Sequence, residues 1–99
     1  MNSFGLPDDV FAEIKDTLRG FPQIKYAKIF GSRAKGCHKR YSDVDIVVYS
    51  DEDSDISAEI EDALEDLDCI YYFDVLHYEK LTDIDVKAHI DRLGQKFYG

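Results

Sequence analysis

Residues 29–50 read IFGSRAKGCHKRYSDVDIVVYS. An apolar stretch runs into Gly31-Ser32, the cations Arg33, Lys35, Lys39 and Arg40 follow, and Asp43 and Asp45 stand at the mouth of a second apolar run. Glycine lets the backbone turn tightly, and without a β-carbon at position 31 an anion can approach closely. Backbone N–H groups and the Ser32 hydroxyl are suited to face such an anion. A short helical turn from Arg33 would add its positive end, and Arg33 and Lys35 add full charges.

The flanking runs read as strands, Lys25 to Phe30 and Asp43 to Tyr49, the second rich in valine and isoleucine. Alternation puts Val44, Ile46 and Val48 on one face and Asp43, Asp45 and Val47 on the other. Two carboxylates two residues apart on one face repel unless solvated or neutralised by a cation. Mg²⁺ takes such oxygen ligands and keeps waters and substrate phosphates in its shell. A third strand, Tyr71 to Tyr78, carries Asp74 in an otherwise apolar and aromatic run, where aspartate is unusual. If the second and third strands are neighbours, Asp74 joins Asp43 and Asp45 as a site for one or two metal ions. Such ions activate an attacking hydroxyl and stabilise charge on phosphoryl oxygens. The cations then suit a phosphate tail and the aspartates its metal. Taken alone, Asp43 and Asp45 also read as polar strand-entry residues.

Three helical segments complete the pattern. Pro7, Asp8 and Asp9 open the first, with Val10, Phe11, Ile14 and Leu18 on one face and Gly20 and Pro22 ending it. Ile56, Ile60, Leu64 and Leu67 mark the second. Thr82 and Asp85 match a capping-box start for the third, over Ile84, Val86, Ile90, Leu93 and Phe97, with Gly94 a weak point near its end. The order is α-β-α-β-α-β-α, an α/β (α+β) chain with a small mixed sheet and helices packed on one face.

The 99 residues suit a single domain over 1–99 with one modest core. No apolar run approaches the roughly 20 residues that span a bilayer. The N-terminus lacks the plan of a signal peptide. Cys37 and Cys69 form no metal-spaced motif, and a small secreted domain usually carries more cysteines. A reducing cytoplasm is the expected home. The net charge of −9 weighs against duplex nucleic acid, whose binding rests on phosphate neutralisation. No Lys, Arg or His occurs between Tyr41 and Leu76, and Asp51 to Asp68 holds ten carboxylates. That block reads as a solvated helix face or as a docking surface for a basic partner. Lys39, Arg40 and His38 read as loop residues, His77 as a packing residue, and His89 has no evident partner.

Gly31-Ser32, ten residues, then Asp43-Val44-Asp45 fits the G-S-x10-D-x-D signature of the polymerase-β-like nucleotidyltransferase superfamily. The fuller string FGSRAKG…SDVDIVV resembles the minimal nucleotidyltransferases, the MNT proteins. Arg33, Ala34, Gly36 and Ser42 agree with it; Cys37, His38 and Tyr41 depart from residues that are often small, acidic or proline. The resemblance extends to Asp74, to the size and to the order of elements. It implies binding of ATP and Mg²⁺ on a small mixed sheet backed by helices. It further implies a HEPN-domain partner, a ribonuclease toxin, that receives AMP on a tyrosine hydroxyl, this chain being the antitoxin. By the resemblance, Asp43 and Asp45 ligate metal, Asp74 completes the triad and serves as base, and Gly31, Ser32 and Arg33 hold the triphosphate, with Lys35 beside them. Larger relatives carry an added helical domain, so a partner is expected to supply the missing surface. Tyr72 and Leu76, expected on the Asp74 face, suit such an interface. The alternative is an acidic binding module that neutralises a basic partner by occlusion. Assembly with itself or with a different chain stays open.

Overall fold

The computed structural model describes residues 4–36 and 43–99, with Ser32 and Lys35 described by their backbone. Helix α1 spans Asp8–Arg19. Pro7 caps it, Asp8 and Asp9 sit in its first turn and Arg19 in its last, so the charges oppose the helix dipole at both ends. Strand β1 (Ile24–Phe30) is followed by the four-residue α2 (Ser32–Lys35). Strand β2 covers Val44–Ser50, α3 Ser57–Glu65 and β3 Phe73–His77. A 3-10 turn (Tyr78–Lys80) leads to α4 (Ile84–Leu93) and to a fourth strand, β4 (Gln95–Tyr98).

The sheet order is β3-β2-β1-β4. Strands β1 and β2 are antiparallel, β2 and β3 parallel through α3, and β4 antiparallel to β1. The chain is therefore the mixed α/β fold that the element order implies.

Val44, Ile46 and Val48 of β2 bury against Ile14 and Leu18 of α1 and Ile60 and Leu64 of α3. That is the expected face of the strand and the expected faces of the helices. The other face is not bare. Ile90 and Val86 of α4 pack there on Val47 and Tyr49, with Leu76 and Tyr78 at the side. So α1 and α3 share one face and α4 lies across the other, which corrects the expectation of helices on one face alone. Leu76, expected at an open interface, belongs to this second core. Its apolar neighbours explain both differences: Val47 and Tyr49 also point this way and need a cover. Among the described residues, no helix is long and apolar enough to cross a membrane.

Two local expectations are corrected. The last helix does not run to Phe97. Gly94 takes an extended conformation, φ −65° and ψ 140°, and Phe97 lies in β4, packed against the main core. Pairing with β1 supplies hydrogen bonds that the short Gln-Lys-Phe-Tyr segment could not make alone. The start of α4 is also one residue later than the capping-box pattern. The Asp83 side chain accepts hydrogen bonds from the N–H groups of Asp85 (2.9 Å) and Val86 (3.3 Å). Asp83→Ala is therefore expected to lower stability by about 1 kcal/mol, while Thr82→Ala stays within a few tenths. Urea unfolding of the two variants checks this, and equal losses would contradict the assignment of the cap.

Candidate functional site

The β2–β3 register sets Asp45 directly beside Asp74. Both are parallel-strand residues on the face away from α1 and α3. Asp74 is exposed and Asp45 half-buried. Burial first, then the charges of Asp74 and Asp43, push the Asp45 carboxyl up from 3.8 to about 6; Arg33 opposes this but does not reverse it. Asp43 stands exposed at the entry to β2, two residues from Asp45.

Across the sheet, Phe30 is the register partner of Asp45, and Gly31 follows it at the turn. Gly31 has φ +75°, a conformation side chains strongly resist. A β-carbon there would also run into Oδ2 of Asp45. The room left by this glycine is thus taken by a carboxylate of the site itself, where the sequence suggested an approaching anion. Ser32 begins α2 and Lys35 ends it.

Arg33 points inward. It is 1% exposed, the largest fully buried side chain among the described residues. Its Nη1 donates to the Phe4 carbonyl at 2.8 Å, and the guanidinium lies 5.1 Å from the centre of the Tyr71 ring. Desolvation lowers its pKa, against the attraction of Tyr71 and Asp45. Its charge therefore acts on Asp45 from beneath the site.

Two contributions were not visible in the sequence. His89 of α4 meets Phe30 edge-on, with centroids 6.4 Å apart and planes at 81°. Gln95, at the start of β4, donates from Nε2 to the Ala34 carbonyl of α2 at 2.7 Å. The end of α4 and the start of β4 thereby form a wall beside the Gly31 turn. The break at Gly94, followed by two aromatics, was the available signal. His77, by contrast, is buried on the α1/α3 side, with Nε2 3.0 Å from the Ser50 carbonyl oxygen and Nδ1 accepting from Ile56 N–H at 3.4 Å. It holds the β2 and β3 ends together.

Among the described residues, no three His, Cys, Asp or Glu side chains converge as a ready metal-ligand set. The paired carboxylates with a third close by still fit a hard divalent cation. Mg²⁺ commonly takes only one or two carboxylates and completes its shell with water and phosphate. A cation would relieve the repulsion that Asp74 and Asp43 exert on Asp45.

Residues 12–99 match the family described as Polymerase beta, Nucleotidyltransferase, and the chain belongs to that family. A structure of the MntA-HpeT toxin–antitoxin, in a double aspartate-to-glutamate mutant, superimposes with a TM-score of 0.72 at 20% identity, covering 90% of this chain and 72% of that one. A toxin–antitoxin structure with AMP-PNP gives 0.69 at 21% identity, covering 90% and 73%. No curated protein matches. The chain thus shares the fold of these structures as well as the family's signature.

The site makes a stability prediction with a definite sign. A carboxyl whose folded pKa lies above its unfolded value destabilises the fold when ionised. For Asp45 that cost is fully present above about pH 6 and disappears as pH falls towards 3.8. The attraction of Arg33 is already inside this balance. After discounting for partial exposure, Asp45→Asn should gain ~1 kcal/mol near pH 7.5, with the gain shrinking steadily below pH 6. Gly31→Ala should lose ~1–2 kcal/mol at any pH, from its φ alone. Thermal unfolding across this pH range measures both, and a pH-independent effect of Asp45→Asn would contradict the origin given.

Proposed function

We propose that the chain transfers AMP from ATP to a hydroxyl, a tyrosine by preference, on a HEPN-type toxin partner in the cytoplasm, and so acts as an antitoxin. The carrying observation is the Asp45–Asp74 pair, set by strand register against the Gly31 turn. Family membership supports nucleotidyl transfer. The similar solved structures are a toxin–antitoxin mutated at two aspartates two positions apart, as Asp43 and Asp45 are, and a toxin–antitoxin with AMP-PNP.

In this reading Asp43, Asp45 and Asp74 hold Mg²⁺, which supplies charge stabilisation on the phosphoryl oxygens when bound. Backbone N–H groups at Gly31 and Ser32 receive the triphosphate, with Lys35 beside them. Arg33 is a positioning residue, holding Asp45 and the turn from below. The acceptor oxygen forms a bond to the α-phosphorus, the bond from that phosphorus to the bridging oxygen breaks, and pyrophosphate leaves. The hydroxyl proton passes to Asp74, the exposed carboxylate of the pair.

Intact mass measurement of the chain and a HEPN-domain partner with ATP and Mg²⁺ tests the proposal. The partner should gain AMP-sized increments. Asp45→Asn should slow this by about 10²-fold or more, and the wild-type rate should fall as pH drops below about 6, where protonation of Asp45 competes with the metal. A stable complex with no mass change would instead support neutralisation by binding alone.

A further inference from the structure

Residues 69–72 lead into β3, an outer strand of the sheet. They hold two large apolar side chains in solvent, Ile70 at 65% exposure and Tyr72 at 74%. Clefts of about 360 and 440 Å³ flank this ridge. Cys69, Ile70 and Tyr71 line both. The charged residues lining them are Asp9 and Asp68 in one and Glu65 in the other, all acidic. An exposed apolar ridge with a one-sign polar rim is the anatomy of a protein interface.

The ridge is continuous with the site. Val44 N–H donates to the Tyr72 carbonyl at 2.9 Å, extending the β2–β3 ladder, so Tyr72 and Asp74 lie two residues apart on one face. The negative field is continuous too, because Glu61 of α3 feels both Glu65 and Asp74.

We propose that this ridge is the docking surface for the acceptor protein, and that the docked segment presents lysine or arginine beside an apolar side chain. The apolar group sits against Ile70 and Tyr72, and the cations meet Asp9, Glu65 and Asp68. Docking there brings a hydroxyl on the partner to the edge where Asp74 waits. The inference rests on the reading of the chain as a transferase acting on a protein.

The test measures affinity of the full chain for its HEPN-domain partner by calorimetry, at low and high salt. Added salt should weaken the complex. Ile70→Glu and Tyr72→Ala should each weaken it by about 30-fold, while binding of AMP-PNP with Mg²⁺ stays at the wild-type level. Both side chains are solvent-exposed, so the substitutions leave the core intact. Unchanged partner affinity in both variants would overturn the proposal. So would absence of wild-type binding, or a photo-crosslinker at position 72 that captures only a second copy of this chain. If the variants lose affinity but the wild type adds no AMP to the partner, the docking surface stands and the transferase reading falls.

Discussion

The side-by-side placement of Asp45 and Asp74 is the constraint on which the rest of the site depends. Two carboxylates do not choose this arrangement; the core imposes it. Val44, Ile46 and Val48 are fully buried between the sheet and two helices. A one-residue slip of β2 would turn those side chains outward. Burial of one side chain of this size is worth roughly 1.5–3 kcal/mol, so three together outweigh the cost of the burial and repulsion that raise the Asp45 carboxyl to about 6. The hydrophobic half of the strand thereby keeps its charged half in a poised state. Gly31 and Arg33 follow from the same constraint: one leaves space for the Asp45 carboxylate, the other tempers its charge.

The face that carries the carboxylates is divided. Towards the C-terminal end of β2, Val47 and Tyr49 are sealed by α4. Tyr26, Tyr49 and Tyr78 stack there, with centroids 4.2 and 4.7 Å apart. Towards the other end, beyond the Phe30–His89 contact, the face opens at Asp45 and Asp74. Helix α4 is therefore both a cover for the second core and the boundary of the site. The Gln95–Ala34 hydrogen bond links that boundary to α2, so movement of one is felt by the other.

Much of this was legible in the sequence, for physical reasons. Strict alternation in β2 revealed which face carries Asp43 and Asp45. Asp74 announced itself by breaking an apolar strand. Helices α1 and α3 followed from apolar spacing. The misses have physical causes as well. Helical and strand patterns overlap in short segments, so Phe97 continued the period of α4 although Gly94 had ended it. Asp83 lay beside a plausible cap at Thr82, and only backbone geometry separates the two. The direction of Arg33 could not be read at all. A four-residue helix has no periodicity, and a cation near a glycine turn reads as solvent-facing until a carbonyl such as that of Phe4 is found to receive it.

Charge is distributed as unevenly in space as along the chain. Lys28, Lys87 and Lys96 lie over the rings of the tyrosine stack, on the α4 side of the sheet. The α3 side and the ridge before β3 carry carboxylates. An anionic triphosphate approaching a chain of net charge −9 is repelled at a distance. Its metal complex is repelled less, because the cation offsets part of its charge. A basic protein is attracted by the same field. Under the proposed function, one acidic surface would favour a metal-bound nucleotide and a cationic acceptor together, the metal offsetting the charge that the chain itself does not.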